Sequence, residues 1–169
     1  MKNFRQWLAT EIIGPVNVAF FILKAVTVCL TWNLLIVIFA SSFIKIESTN
    51  IQSFYLPVFS WYFPFLIFSL ALFEEVMFRL LPIYFILTRD LDKYILHAII
   101  ISSVVFGYIH GSALNILTQG FTGMILSIVF LKCGGFFEDF AKGTLSSTFA
   151  HVIFNLVIIY SVYFGMKVF

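Results

Sequence analysis

Two adjacent glutamates stand in the run Ala71-Leu-Phe-Glu-Glu-Val-Met-Phe-Arg-Leu80, inside otherwise apolar sequence. On a helix, Glu75 and Arg79 lie four apart on one face, in the favourable acid-before-base order. An ion pair between them accounts for Glu75 and Arg79 and leaves Glu74 over. A carboxylate held without a partner in apolar surroundings is expensive, which makes Glu74 a candidate general base. Two histidine patterns follow, Phe106-Gly-Tyr-Ile-His110 and His151-Val-Ile-Phe-Asn155. His151 and Asn155 project together from one helix face, as two donors to a developing oxyanion would. Either histidine alone reads equally well as a hydrogen-bonding strut between helices. His97, with no polar companion, reads as a strut.

Other chemistries find no footing. No GxSxG surrounds a serine, Ser146-Ser147 stands beside no acid–base pair, and HExxH is absent. Cys29 and Cys133 are far apart, with neither CxxC nor metal-ligand spacing, and read as buried apolar fillers.

The elements that must position these residues are membrane helices. Apolar residues make up 62% of the chain and charged residues 11%, with a mean hydropathy of +1.06. A soluble domain has about 45–50% apolar and about 25% charged residues, so this chain could not cover a water-facing surface. Disorder, a disulfide-stapled secreted module and a nucleic-acid binder are excluded on the same grounds. The net charge of +2 is too small to point to a polyanionic partner.

About 20 apolar residues are needed to cross a bilayer core. Val16 to Ala40 qualifies despite Lys24, which snorkels, pairs with a carboxylate or receives a substrate carboxylate. Lys2 and Arg5 precede that run but no small-residue cleavage site follows it, so it reads as a retained span. After a polar stretch from Ser41 to Ser53, a second run extends from near Tyr55 to Leu87, cut by Glu74, Glu75 and Arg79. It is too long for one straight span and is expected to bend or re-enter near Pro82. Tyr94 to His110, Ala113 to Leu131 and Leu145 to Met166 complete a bundle of about five spans, or six if the Glu74 to Thr88 region crosses separately. Thr144 is the expected N-cap of the last. The fold class is therefore an all-α, polytopic transmembrane bundle, one membrane-embedded domain over 1–169. Lys2, Arg5, Arg89, Lys93, Lys132 and Lys142 would share one side, against Lys45 and Lys167 on the other, which puts the N-terminus in the cytoplasm.

Glu-Glu-x-x-x-Arg, Phe-x-x-x-His and His-x-x-x-Asn, in that order on successive membrane helices, resemble the CPBP (ABI) family of CAAX- and bacteriocin-processing intramembrane endopeptidases, which includes the type II CAAX prenyl endopeptidase. The match covers roughly Leu70 to Leu156, which would be the catalytic core, about 70–156. The resemblance implies that Glu74 and His110 activate a water while His151 and Asn155 hold the tetrahedral oxyanion. Glu75, Arg79 and Phe106 would be supporting residues. The glycine that usually follows the arginine is Leu80 here, and few spans precede the core, as in the family's compact prokaryotic members. The implied activity is hydrolysis of a peptide bond in a membrane-associated protein or peptide, by CAAX-type, leader-peptide or C-terminal-tail processing. No cofactor is expected, because Asn155 is a poor zinc ligand and a good oxyanion donor; a metal-dependent alternative would place zinc on Glu74, His110 and His151.

Two other classes fit the composition: a non-catalytic membrane protein of the same fold, serving bacteriocin immunity or as a scaffold, and a small proton-coupled transporter relaying protons through Glu74. Partners are membrane lipids and a peptide or protein substrate, with no nucleic acid. One geometric conflict stands in this reading. In straight helices His110 falls near the outer end of its span and His151 near the inner end of its own. A shared site therefore requires a re-entrant helix, loosened at Gly107 and Gly111, or displaced helix boundaries.

Overall fold

The computed structural model describes residues 17–41, 61–111 and 113–167, which are helical apart from the short turns between helices. The expected polar stretch after Ser41, the start of the second run near Tyr55 and the basic residues Lys2, Arg5 and Lys45 lie outside them. Helix α1 is Val18–Ser41. Asn17 opens it, its side-chain oxygen accepting the Phe20 backbone N–H at 3.2 Å. Lys24 is exposed on this helix with Nζ 4.7 Å from the centre of the Phe20 ring.

Helix α2, Phe63–Glu75, begins with a proline in its first turn. It runs without a break into a π turn, Val76–Leu80, and then into α3, Leu81–Thr88. The Leu81 N–H bonds the Val76 carbonyl, the five-residue spacing of a π turn. Pro82 explains why the irregularity falls here. It has no N–H to donate, and its ring collides with the carbonyl one α-turn back, so the preceding turn widens to clear it. The expected interruption near Pro82 is therefore a π turn inside a continuous helix. Over its 26 residues that helix reaches roughly 39 Å, enough to cross a core of about 30 Å.

After a short 3₁₀ turn at Asp92–Tyr94 comes α4, Ile95–Ile109, with His110 as its C-cap. A turn at Gly111, φ 105°, follows. The short α5, Ala113–Asn115, leads into a second π turn, Ile116–Gly120, and α6, Phe121–Cys133. The last helix, α7, is Phe140–Lys167. It starts five residues earlier than expected. The N-cap is Asp139, whose Oδ1 accepts the Lys142 backbone N–H at 3.0 Å. Thr144 lies inside the helix, where its hydroxyl donates to the Phe140 carbonyl at 2.8 Å. A carboxylate at the cap also suits the positive end of the helix dipole.

Four of these stretches are long and apolar enough to cross a membrane: Val18–Ala40, Asp92–Ile109, Ile116–Phe137 and Phe140–Val162. The remaining expected run, from near Tyr55 to Leu87, corresponds among the described residues to the helix Phe63–Thr88, which has the length but carries Glu74, Glu75 and Arg79. The polytopic helical bundle is as expected. One core cluster joins Ala25 and Val26 of α1 to Leu126, Val129 and Cys133 of α6 and Ala150 of α7. A second joins Ile83 and Leu87 of α3 to Ile95 and Ile99 of α4 and Phe130 and Leu131 of α6. Cys29 and Cys133 are both buried and unpaired, which fits filler side chains. Large apolar residues such as Phe39, Phe65, Phe73, Leu96 and Tyr108 face outward. That is the pattern of a bundle solvated by lipid.

Candidate active site

The buried polar centre gathers where α2 passes into the first π turn. Glu75 and Arg79 are 0% and 1% exposed and His151 2%, whereas Glu74 keeps 28% exposure. Charges this deep persist only when paired, and this set is. Arg79 Nη1 lies 3.3 Å from Glu75 Oε1. The same oxygen accepts from His151 Nδ1 at 2.9 Å. On the opposite side of that ring, Nε2 is 3.5 Å from Glu74 Oε2. One imidazole from α7 is thus held between two neighbouring carboxylates of α2.

Phe106 of α4 is the hub of this cluster. It is fully buried, with the Arg79 guanidinium 4.2 Å over its ring. Its ring centre lies 4.6 Å from that of His110, 5.9 Å from that of His151 and 5.3 Å from that of Phe78. A cation over an aromatic face in a desolvated site contributes about 2 kcal/mol. The Phe106 carbonyl also orients His110, whose Nδ1 lies 2.6 Å away. A carbonyl only accepts, so Nδ1 carries the proton, and the neutral ring presents a lone pair at Nε2. Gly123 of α6 makes room for the arginine: a Cβ there would sit 2.8 Å from Arg79 Nη2 and 3.1 Å from Phe106 Cδ1. Arg79 Nη1 and Nη2, Glu75 Oε2 and Ser103 Oγ are buried without an aligned hydrogen bond, so the guanidinium is held by charge and the aromatic face.

Six of the seven expected residues, Glu74, Glu75, Arg79, Phe106, His110 and His151, form one connected set. Asn155 is half-buried one turn beyond His151 on α7. The conflict over helix ends disappears with the earlier start of α7. His151 sits well inside that helix, and His110 is the cap of α4. Gly107 remains within α4, and Gly111 forms the turn after it, so no unwinding at Gly107 is needed. Among the described residues, Glu74 pairs with His151 and not with His110. His97 is exposed, its ring edge-on to Tyr94 at 6.1 Å. It lines an apolar groove of about 540 Å³ between the α2–α3 helix and α4, so it is not the buried strut that its isolation implied.

Two features were missed in the sequence. Glu75 bonds His151 as well as pairing with Arg79; no local pattern links positions so far apart. Ser103 borders the same space, its Oγ 3.5 Å from where a Gly123 Cβ would stand, and its place three and seven residues before Phe106 and His110 on one face of α4 was a signal that could have found it.

A zinc site would need three protein ligands around one ion. Among the described residues, no three His, Cys, Asp or Glu side chains are grouped to hold a metal ion. Glu74 and His151 face each other at 3.5 Å, and a zinc ion there would also need His110 as the third ligand.

A family model described as type II CAAX prenyl endopeptidase Rce1-like matches residues 56–157, more than half of the chain and all of this cluster. No curated protein and no solved structure matches the chain.

Proposed function

Since the chain belongs to the type II CAAX prenyl endopeptidase Rce1-like family, we propose that it is an intramembrane endopeptidase whose water is activated by Glu74 and whose catalytic core is about 70–156. The observation that carries this reading is the meeting of Glu74 and His151, 3.5 Å apart, from two different helices. A carboxylate that keeps some exposure beside an otherwise buried polar cluster can accept a proton from water and still be reached by substrate. His110, with Nδ1 committed to a carbonyl, offers Nε2 as a second acceptor for the same water. The Asn155 amide supplies an N–H for the oxyanion, a contribution of about 3–4 kcal/mol per donor. Glu75, Arg79 and Phe106 hold the histidines in place. The proposed mechanism is metal-free because a carboxylate base beside an imidazole can deprotonate a water by itself.

The protein would act as an integral protein of a prokaryotic cell membrane, on a membrane-associated substrate of the CAAX, leader-peptide or C-terminal-tail class. Arg89 and Lys93 follow α3, and Lys132 and Lys142 flank the turn before α7. If every long helix crosses, both turns lie on one face, and that basic face is the cytoplasmic one, with the N-terminus.

The test is cleavage by purified protein in liposomes, offered prenylated and unprenylated C-terminal peptides and a leader peptide. Glu74→Gln is expected to lower turnover by about 10²–10⁴-fold, the range for a lost general base, with unchanged yield and unfolding temperature. Activity is expected to survive exhaustive chelation. Wild-type turnover in the Glu74→Gln variant would overturn the assignment, and loss with chelator restored by zinc alone would overturn its metal-free form.

A further inference from the structure

We propose that Asn115 is the positioning residue for His110, holding the turn from which that imidazole works beside Glu74; the inference rests on the peptidase reading above. Asn115 belongs to none of the motifs that marked the site in the sequence.

His110 is poorly placed to hold still by itself. It caps α4 with φ −79° and ψ 6°, and it is exposed. Its N–H reaches the Gly107 carbonyl at 3.3 Å, and the Gly111 N–H reaches that of Tyr108 at 3.1 Å. Both are the tightened, three-residue bonds of a helix that is ending. The chain then turns away at Gly111, whose φ of 105° is a conformation that side chains with a Cβ rarely adopt. Helix ends are where fraying begins, and their last carbonyls find no partner within the helix. A catalytic group in such a place needs outside support.

Two ties supply it. The ring is held by Nδ1, 2.6 Å from the Phe106 carbonyl. A carbonyl only accepts, so Nδ1 donates whether the ring is neutral or charged. The main chain is held by Asn115, whose Nδ2 donates to the His110 carbonyl at 2.5 Å. That carbonyl needs a donor, which the Asn115 amide has and an ionised aspartate of the same shape lacks. Asn115 can bear on His110 because its own main chain is fixed. It ends α5 and leads into the second π turn. The backbone there presses so closely on α4 that a Cβ at Gly107 would stand 2.8 Å from the Asn115 carbonyl oxygen. Gly107 is three residues before His110, so α4 meets Asn115 twice: backbone on backbone at Gly107, and amide on carbonyl at His110. The imidazole is thus clamped between the turn that precedes it and the segment that follows it. Misplacing a reacting group by about 1 Å costs on the order of 100-fold in rate, so a loose His110 would be felt in turnover.

The test uses the full chain in liposomes, the peptides named above and substitutions at one position. Asn115→Ala and Asn115→Asp remove the donor, whereas Asn115→Gln keeps it. Loss of the donor is expected to lower kcat by about 10–100-fold with KM within about 2-fold, and Asn115→Gln to recover most of the loss. An asparagine with a merely structural role would lower yield and unfolding temperature and leave kcat of the folded protein alone. The second readout is the ring itself. The chain has three histidines, so nitrogen NMR of ¹⁵N-histidine-labelled protein separates them, His110 being identified by the signals that His110→Ala lacks. In Asn115→Ala those signals are expected to broaden or shift while those of His97 and His151 stay as in wild type. Asn115→Asp, of unchanged shape, gives the same comparison if Asn115→Ala does not accumulate. Wild-type kcat in the variants without the donor, or His110 signals identical to wild type, would overturn the inference and leave the peptidase reading intact. A wild type that cleaves no peptide would overturn that reading and the catalytic consequence drawn here, and the ring signals would still decide whether Asn115 holds His110.

Discussion

The two π turns, Val76–Leu80 and Ile116–Gly120, have the same length and both interrupt longer helices, but different partners fill the space each opens. The first presents Arg79 to a buried carboxylate, an imidazole neighbour and an aromatic face. The second receives the N-terminal helix: the Trp32 indole N–H of α1 donates to the Leu117 carbonyl at 2.6 Å, and the ring stacks on Phe121 with centres 4.5 Å apart. Close by, the Asn33 side-chain amide donates to the Thr122 hydroxyl at 3.2 Å. One π turn thus serves to hold a charge inside the bundle and the other to dock a helix on it. The irregular backbone is a shared device, and its use depends on which helix faces it.

If that contrast is right, the first turn should respond most strongly to loss of charge. Arg79→Met strands Glu75 in the core and is expected to destabilise the protein by about 3–5 kcal/mol, the cost of breaking a buried pair by removing one partner. The Glu75→Leu/Arg79→Met pair should recover most of that loss. Thermal unfolding in detergent compares the three proteins, and a double variant as unstable as the single would show that charge is not what the first turn is built around.

Close packing, not charge, should govern the second turn. Gly107 of α4 lies so near it that a Cβ would stand 2.7 Å from the Ile116 Cα, 2.8 Å from the Asn115 oxygen and 2.9 Å from the Gly120 nitrogen. All three are backbone atoms and cannot swing aside. Gly107→Ala is expected to cost about 1–3 kcal/mol in the same unfolding measurement. A neutral effect would mean that the two helices separate easily and that the second turn is not a packing feature.

The smallest effect belongs to the indole. Trp32→Phe keeps the stacking on Phe121 and removes one hydrogen bond, so the expected loss is about 1 kcal/mol. Cleavage by this variant should match wild type, because Trp32 touches none of the Glu74, His110 or His151 side chains. A fall in turnover without a fall in stability would join the docking region to the chemistry and erase the distinction between the two turns.

Reading the chain alone was enough for its class, most of its helices and the residues that cluster. Those features are local. Apolar runs declare a lipid-solvated bundle, four-residue spacing puts Glu75 with Arg79 and His151 with Asn155, and misplaced charges mark themselves by their surroundings. Helix ends were harder. Thr144 and Asp139 are both acceptable caps, and the choice fell to Asp139 because the chain between Gly134 and Asp139 can close on itself, the Asp139 N–H bonding the Gly134 carbonyl at 3.2 Å. A π turn leaves almost no trace in composition, so Pro82 marked the place of an irregularity and not its form.

The amino-acid sequence by itself determined which groups are available for chemistry: two carboxylates, two imidazoles, a guanidinium and an amide, on helices that must be buried in lipid. Only the tertiary structure decided how they pair. Helical periodicity fixes neighbours within about four residues, whereas the contact of Glu75 with His151 spans 76 positions. It depends on the depth and rotation at which α7 packs on α2, and those are set by side-chain packing along the whole helix. For the same reason no sequence pattern announced that Glu74 would meet His151, 3.5 Å away on another helix.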